Sequence, residues 1–331
     1  MKISETGEFA IIDDIVASFK ELLPVNMKGI GDDCALIPKN ENESYVISTD
    51  MLVEDHHFYK NKISAFDLGF KSLAVNLSDI AAMGARPVAS FLSVALPRDL
   101  EKSWVDEFIA GYKSLSVSEN VPLCGGDTVA SEKLTVNVTI IGEALNASIR
   151  FRSMARLGDD LCCTKTLGDS AGGFLLLQAD TTTGNIEKIL LESHYKPYPE
   201  IAAGKWLAAQ KGVHAMIDIS DGLVADLRHI LSASGVAAFL NREAIPISAS
   251  LKEAAKKHNW NSLELALNGG EDYCLLFTID KTETENITKG FLAEFGRPLY
   301  ILGGIEAGSG HVRLLEGENE ISYSKKGFTH F

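Results

Sequence analysis

The chain has 331 residues, 46% of them hydrophobic and 23% charged, which suits about two folded domains and excludes a disordered or fibrous chain. Its 45 acidic and 31 basic side chains give a net charge of −14, a field that repels nucleic acid and anionic membrane, and no local basic patch reverses it. Five cysteines without a Cys-x-x-Cys pair exclude a disulfide framework or a zinc site and read as buried thiols; with no apolar signal core after Met1 and no window as long as a transmembrane helix, a cytoplasmic address is expected.

In chain order, residues 8–23 carry Phe9, Ile12, Ile15, Val16 and Phe19 at helical spacing, and Pro24 stops them. Residues 45–48 are a β-prone run that leads into Thr49 and Asp50. A helix over 66–83 follows, with Phe70, Leu73, Leu77 and Ile80 on one stripe, ended by Gly84 and Pro87. Residues 88–96 read as a strand, 104–117 as a helix and 134–141 as a half-buried strand of alternating type. From about Arg150 the pattern begins again. Strands are expected at 161–164, 216–220, 274–279 and 299–302, and helices at 172–178, 186–191, 201–210 and 223–234, the last closed by Gly235. No low-complexity linker separates the halves, so domains over 1–149 and 150–331 should pack closely.

The P-loop, G-x-G-x-x-G, kinase H-R-D and D-F-G, and H-E-x-x-H signatures are all missing. Instead, aspartates stand beside small residues at the ends of apolar runs: Gly31-Asp32-Asp33, Ser48-Thr49-Asp50, Ser78-Asp79, Gly125-Gly126-Asp127-Thr128 and Asp218-Ile219-Ser220-Asp221-Gly222. Each has a bland reading. Asp33 suits a turn, Asp50 a solvated strand end or helix N-cap, and Asp79 a solvated stripe with Ser72 and Asn76. Gly125 to Thr128 suits either a glycine turn or a phosphate-binding nest, and Asp221 a cap for the helix at Leu223. As a set they need neutralising cations. Magnesium is the natural choice, because it takes oxygen ligands and shares them with substrate phosphates. Cys162-Cys163 lies in an apolar run and reads as a buried thiol pair.

These residues resemble a known family. The ordered series Gly7-Glu8-Phe9, Gly31-Asp32-Asp33-Cys34-Ala35, Ser48-Thr49-Asp50, His57-Phe58, Lys71-Ser72 through Asn76-Leu77-Ser78-Asp79, Gly125-Gly126-Asp127-Thr128, Ser220-Asp221-Gly222 and Gly269-Gly270-Glu271-Asp272-Tyr273 is similar to the thiamine-monophosphate kinases, relatives of aminoimidazole ribonucleotide synthetase and selenophosphate synthetase. The resemblance implies a two-domain α+β or α/β chain, with an N-terminal mixed domain that forms a β-barrel across a homodimer interface and a C-terminal α/β domain completing the cleft. It implies ATP as co-substrate, thiamine monophosphate as acceptor and several Mg2+ ions at Asp33, Thr49, Asp50, Asp79, Asp127, Asp218 and Asp221. ATP is implied at Gly126, Asp127, Arg152 and Ser220, and the thiamine moiety at His57, Glu271 and Phe328. No residue is implied as a catalytic base or nucleophile. Asp55-His56 and Cys274 depart from the family pattern without touching an implied metal ligand. Without the resemblance, Arg152 between Arg150 and Arg156 reads as a solvated basic segment, and His57 as a surface histidine.

Overall fold

The computed structural model describes residues 7–179 and 184–323. The first sheet follows from the alternation in its central strands: in β5 (Thr135–Leu145), Val136, Val138 and Ile140 are buried while Asn137, Thr139 and Ile141 face the other way, partly exposed. Around it stand β1 (Ala35–Pro38), β2 (Glu43–Val53), β3 (Arg86–Leu96) and β4 (Leu123–Ala130), in the order β1-β2-β5-β3-β4. The pairs are antiparallel except β3 with β4. The sheet is open within one chain, with β1 and β4 at its edges. Helix α1 (Glu8–Phe19) is shorter than expected and continues as a 3-10 turn over Lys20–Leu22. Helix α2 (Ala65–Ala82) lays Leu73, Leu77 and Ile80 into one core with the inward side chains of β5, and α3 (Lys102–Ser118) packs on α2.

The second sheet has seven strands in the order β12-β11-β8-β10-β6-β9-β7. They are β6 (Asp160–Cys163), β7 (Val213–Asp218), β8 (Ala237–Asn241), β9 (Leu275–Ile279), β10 (Tyr300–Glu306), β11 (Val312–Glu316) and β12 (Asn319–Ile321). Only β8 and β11 run parallel, so both halves are mixed and mainly antiparallel. Among the described residues, seven α-helices accompany them: α4 (Asp169–Ala179), α5 (Asn185–Tyr195), α6 (Ile201–Ala209), α7 (Leu223–Ser234), α8 (Ala249–His258), α9 (Ser262–Asn268) and α10 (Thr284–Phe295).

Strand β7 is buried on both faces, and its alternation, shifted by an irregularity between Val213 and Met216, explains how the halves are joined. Val213 and Met216 enter the core shared with α2 of the first half and with Leu207 and Ala208 of α6; Ala215 and Ile217 enter a second core with Leu223, Leu227 and Leu231 of α7. The shared core places the end of β7 against α2. Cys34, Cys162, Cys163 and Cys274 are buried free thiols, as expected, but Cys124 is exposed, because it lies on the edge strand β4.

Three local expectations are corrected. Asp50 is neither a strand end nor a helix cap, because β2 runs on to Val53. Gly125 to Thr128 form no turn or nest; they lie in β4, paired with Phe91 to Val94. Arg150 is not solvated: it is buried and donates to the carbonyls of Ala208 and Gln210 at the end of α6.

Candidate active site

A cavity of about 700 Å³ opens between the halves, lined by Asp50, Asp79, Asp218, Ser220, Asp221 and Glu271 among others. Its acidic part is built by three elements. The polar stripe of α2 faces inward, with Ser72, Asn76 and Ser78 each 1% exposed. Asn76 Oδ1 accepts the backbone N–H of Asp50 at 3.1 Å, while its Nδ2 donates to the Ser72 carbonyl. Ser48 Oγ donates to Asp79 at 2.5 Å and Ser78 Oγ donates to Asp218 at 2.6 Å. A solvated stripe is thereby ruled out for Asp79.

Carboxylate oxygens of Asp33, Asp79 and Asp218 all lie within 4.8 Å of one another. Burial and then mutual repulsion push these groups up: Asp79 rises well above the usual carboxylate range, Asp218 to about 8, and the neighbouring Asp50 to about 6. Asp33 is raised by burial against the opposing pull of Arg152, whose Nη2 donates to its Oδ1 at 2.7 Å. Asp33 Oδ2 and Arg152 Nε are both buried without a hydrogen-bond partner among the described residues. Thr49, beside Asp50 on the strand, donates from Oγ1 to the Val138 carbonyl and accepts from Asn137 Nδ2, each at 3.1 Å.

The loop after β7 owes its shape to a residue that sequence reasoning missed. Asp226 Oδ2 accepts the backbone N–H groups of Ser220, Asp221 and Gly222, all at 3.0 Å. Asp226 thereby satisfies the backbone donors of the loop that leads into α7, up to the N-cap residue Gly222. Asp221, Asp226 and His229 also bring ligand atoms within 4.8 Å. The signal was available in the sequence, as an acid one turn inside a helix that follows Ser-Asp-Gly.

Asp127 stands apart. It is exposed on β4 and pairs with Ser93, which pairs with Asn137, which pairs with Met51. Three strand spacings, roughly 14 Å, separate it from β2. At Gly126, with φ 154°, an added Cβ would lie 1.7 Å from the Leu92 carbonyl oxygen, so only glycine allows this backbone approach.

His56 and His57 both line the cavity. His57 Nδ1 accepts the Val53 N–H at 3.0 Å, which puts the proton of a neutral ring on Nε2. Asp55 pairs with Lys133 at 3.2 Å. Glu271 lines the cavity and is held by two residues not foreseen, Lys71 and His194, each 3.0 Å from its Oε2. Phe328 lies outside the described residues.

The chain is similar along its whole length to known proteins. Residues 31–144 match the model of the AIR synthase related protein N-terminal domain, and residues 156–314 the C-terminal domain. A thiamine-monophosphate kinase of Buchnera aphidicola is 40% identical over 329 residues, covering 98% of each chain. That of Escherichia coli is 35% identical over 330 residues, again 98% of each. Among solved structures, AaThiL complexed with AMPPCP and TMP superposes with a TM-score of 0.87 at 34% identity, covering 100% of this chain and 99% of that one. Thiamine monophosphate kinase from Aquifex aeolicus gives 0.83 at 32% identity, covering 98% and 100%.

Proposed function

The chain belongs to the thiamine-monophosphate kinase family of the AIR synthase related proteins, and from that premise we infer that it transfers the γ-phosphoryl group of ATP to thiamine monophosphate, giving thiamine diphosphate. The observation that carries this reading is the buried cluster of Asp33, Asp79 and Asp218 facing a cavity that also contains Glu271.

The donor set suits hard divalent cations. Asp33 Oδ2 is buried without a partner among the described residues, and its neighbours are carboxylates held above their usual range by burial and then by mutual repulsion. Asp33, Thr49, Asp50, Asp79, Asp218 and Asp221 would hold Mg2+, which supplies charge neutralisation for two phosphates brought together. Ser220 and Arg152 serve the ATP phosphates, the unpartnered Arg152 Nε being a donor that a phosphate oxygen would satisfy. His57, Glu271 and Phe328 meet the thiamine moiety. The acceptor needs no general base: the second pKa of a phosphate ester is about 6, so an attacking oxygen is already an anion near pH 7. What remains is alignment and charge stabilisation, and transfer proceeds directly without a phosphoenzyme.

Gly126 and Asp127 enter this reading through a second copy. The face of the first sheet that carries Met51, Phe91 and Val129 is exposed, as is every residue of β4. Pairing of two such sheets across a two-fold axis would close them into a barrel, with 1–149 as the dimerising metal and ATP domain and 150–331 as the domain that completes each site. The address that fits this chemistry is the cytoplasm; no helix among the described residues is long and apolar enough to cross a membrane.

The test is a coupled assay with Mg2+ and ATP that compares thiamine monophosphate, thiamine and a pyrimidine phosphate, identifying the product by mass. Thiamine diphosphate from the first acceptor alone is expected. Turnover of another acceptor, or a labelled enzyme isolated from γ-labelled ATP before acceptor is added, would overturn the substrate or the direct transfer respectively.

A further inference from the structure

We propose that Lys71 and His194 are positioning residues that hold Glu271 as a fixed hydrogen-bond acceptor for an aromatic amine on the phosphate acceptor. The inference rests on the reading that Glu271 meets the thiamine moiety, whose pyrimidine ring carries such an amine.

Lys71 is the informative residue. It sits in the middle of α2, 1% exposed, in a helix whose other charged residues are Asp67 and Asp79. A buried ammonium without a partner is prohibitively costly, so its place has to be explained by what it pairs with. Its Nζ lies 3.0 Å from Glu271 Oε2. His194, from α5 of the other half, brings Nδ1 to 3.0 Å from the same oxygen, with Ser170 Oγ also 3.0 Å from that nitrogen. Both described contacts fall on Oε2. Oε1 has none among the described residues, and the side chain is 26% exposed where it lines the cavity.

The backbone is equally constrained. Glu271 has φ 64°, a left-handed conformation that strains a residue with a Cβ. It is kept there by its N–H to the Ser220 carbonyl at 2.7 Å and by the N–H of Tyr273 to the Ile219 carbonyl at 2.8 Å. At Gly270 an added Cβ would lie 2.5 Å from Ser220 O, so the chain can approach this closely only as glycine. One strained residue, two donors from different halves and a zipped loop all fix one carboxyl group at a cavity wall.

The charge state follows from the same partners. Burial alone would raise Glu271, but Lys71 and His194 outweigh it and bring the group to about 2. His194 is itself held below its usual value, by burial first and then by Lys71, so it acts as a neutral ring donating from Nδ1. Lys71 cancels the net charge of the pair, which leaves Glu271 an ionised acceptor rather than a free attractor of cations. Phe174, on the same cavity and 5.7 Å from the His194 ring, supplies an aromatic face beside it. An acceptor oxygen next to an aromatic face fits an amino-substituted heteroaromatic ring. It penalises the analogue in which an oxo group replaces the amine, because two acceptors would then meet.

The experiment compares thiamine monophosphate with oxythiamine monophosphate in the full-length protein with Mg2+ and ATP, reading KM for each acceptor, KM for ATP, and kcat. Glu271→Gln should raise KM for thiamine monophosphate at least tenfold and reduce the preference for the amino over the oxo acceptor by a similar factor, with KM for ATP within twofold. Lys71→Met and His194→Phe should repeat that pattern, His194→Gln, which keeps an N–H, should recover most of it, and Lys71→Met with Glu271→Gln should be no worse than Glu271→Gln alone. If Glu271→Gln leaves acceptor KM and preference unchanged, the reading of Glu271 as an acceptor contact falls. If Glu271→Gln has its effect while Lys71→Met and His194→Phe keep the wild-type preference, the positioning role falls and the reading of Glu271 stands. Should Lys71→Met fail to fold, the His194→Phe and His194→Gln pair decides the same question.

Discussion

Glu271 and Asp272 are adjacent in the chain, yet their carboxyl groups are driven in opposite directions. Glu271 meets Lys71 and His194, whereas Asp272 turns to the start of α4 and accepts the N–H of Gly168 at 2.8 Å. Glu271 is brought to about 2 and Asp272 is pushed by burial to about 8. Glu271 therefore contributes stability that is present above about pH 4.5 and lost as pH falls through about 2. Asp272 contributes stability that is present below about pH 3.8 and lost as pH rises through about 8.

Between pH 5 and 8 only Asp272 of this pair titrates. Thermal unfolding measured in EDTA across that window should show stability falling as pH rises, and Asp272→Asn should make the fall shallower. An identical slope in the variant would mean that Asp272 is ionised throughout.

Asp226 offers a test of loop shape. Asp226→Ala leaves three backbone N–H groups without their acceptor and should cost about 2–4 kcal/mol of stability, together with a raised KM for ATP, because Ser220 and Asp221 lose their placement. Burial holds Asp226 well above the usual carboxylate range, so the uncharged Asp226→Asn, which keeps an acceptor oxygen, should stay close to wild type. Chemical denaturation and ATP titration read both. Equal damage in the two variants would assign the role to charge instead of hydrogen bonding.

Long periodic elements were legible in the sequence, and the site only in pieces. Helix α2 shows its apolar stripe at 3.6-residue spacing, and the helix expected at 223–234 is α7, closed by Gly235 with φ 68°. Strands β1, β8, β11 and β12 have three to five residues each, too few to display a period of two. Strand β4 was hidden by Gly125 and Gly126, which read as a turn until β3 supplies its hydrogen bonds. The acids beside small residues pointed to Asp33, Asp79 and Asp218, but Ser78 and Lys71 become meaningful only when folding sets α2 against the second half. Partners that far apart in the chain leave no local spacing to read.

Asp218 tests whether the acidic cluster is built for cations. Asp218→Asn removes one of three crowded carboxylates, so the metal-free protein should be at least as stable as wild type at pH 8. Turnover should nevertheless fall by about a hundredfold or more, and the rise in melting temperature that Mg2+ gives the wild type should shrink. Melting curves with EDTA and with Mg2+, paired with kcat, measure all three. A variant that is destabilised in EDTA yet responds normally to Mg2+ would make Asp218 structural.

The distance between Asp50 and Asp127 leads to the most direct test of assembly. Asp50 belongs to the cavity, whereas Asp127 lies three strands away on an exposed edge. If both act on one reaction, the second copy has to supply one of them. Asp50→Asn and Asp127→Asn homodimers should each be inactive while folded. Mixed by co-expression, half the molecules are heterodimers, and each of those contains one site with both defects and one with neither. About a quarter of wild-type turnover should return. No recovery in mixtures verified to contain heterodimer would show that Asp50 and Asp127 serve a site within one chain, and would require β4 to move toward β2 when ATP binds.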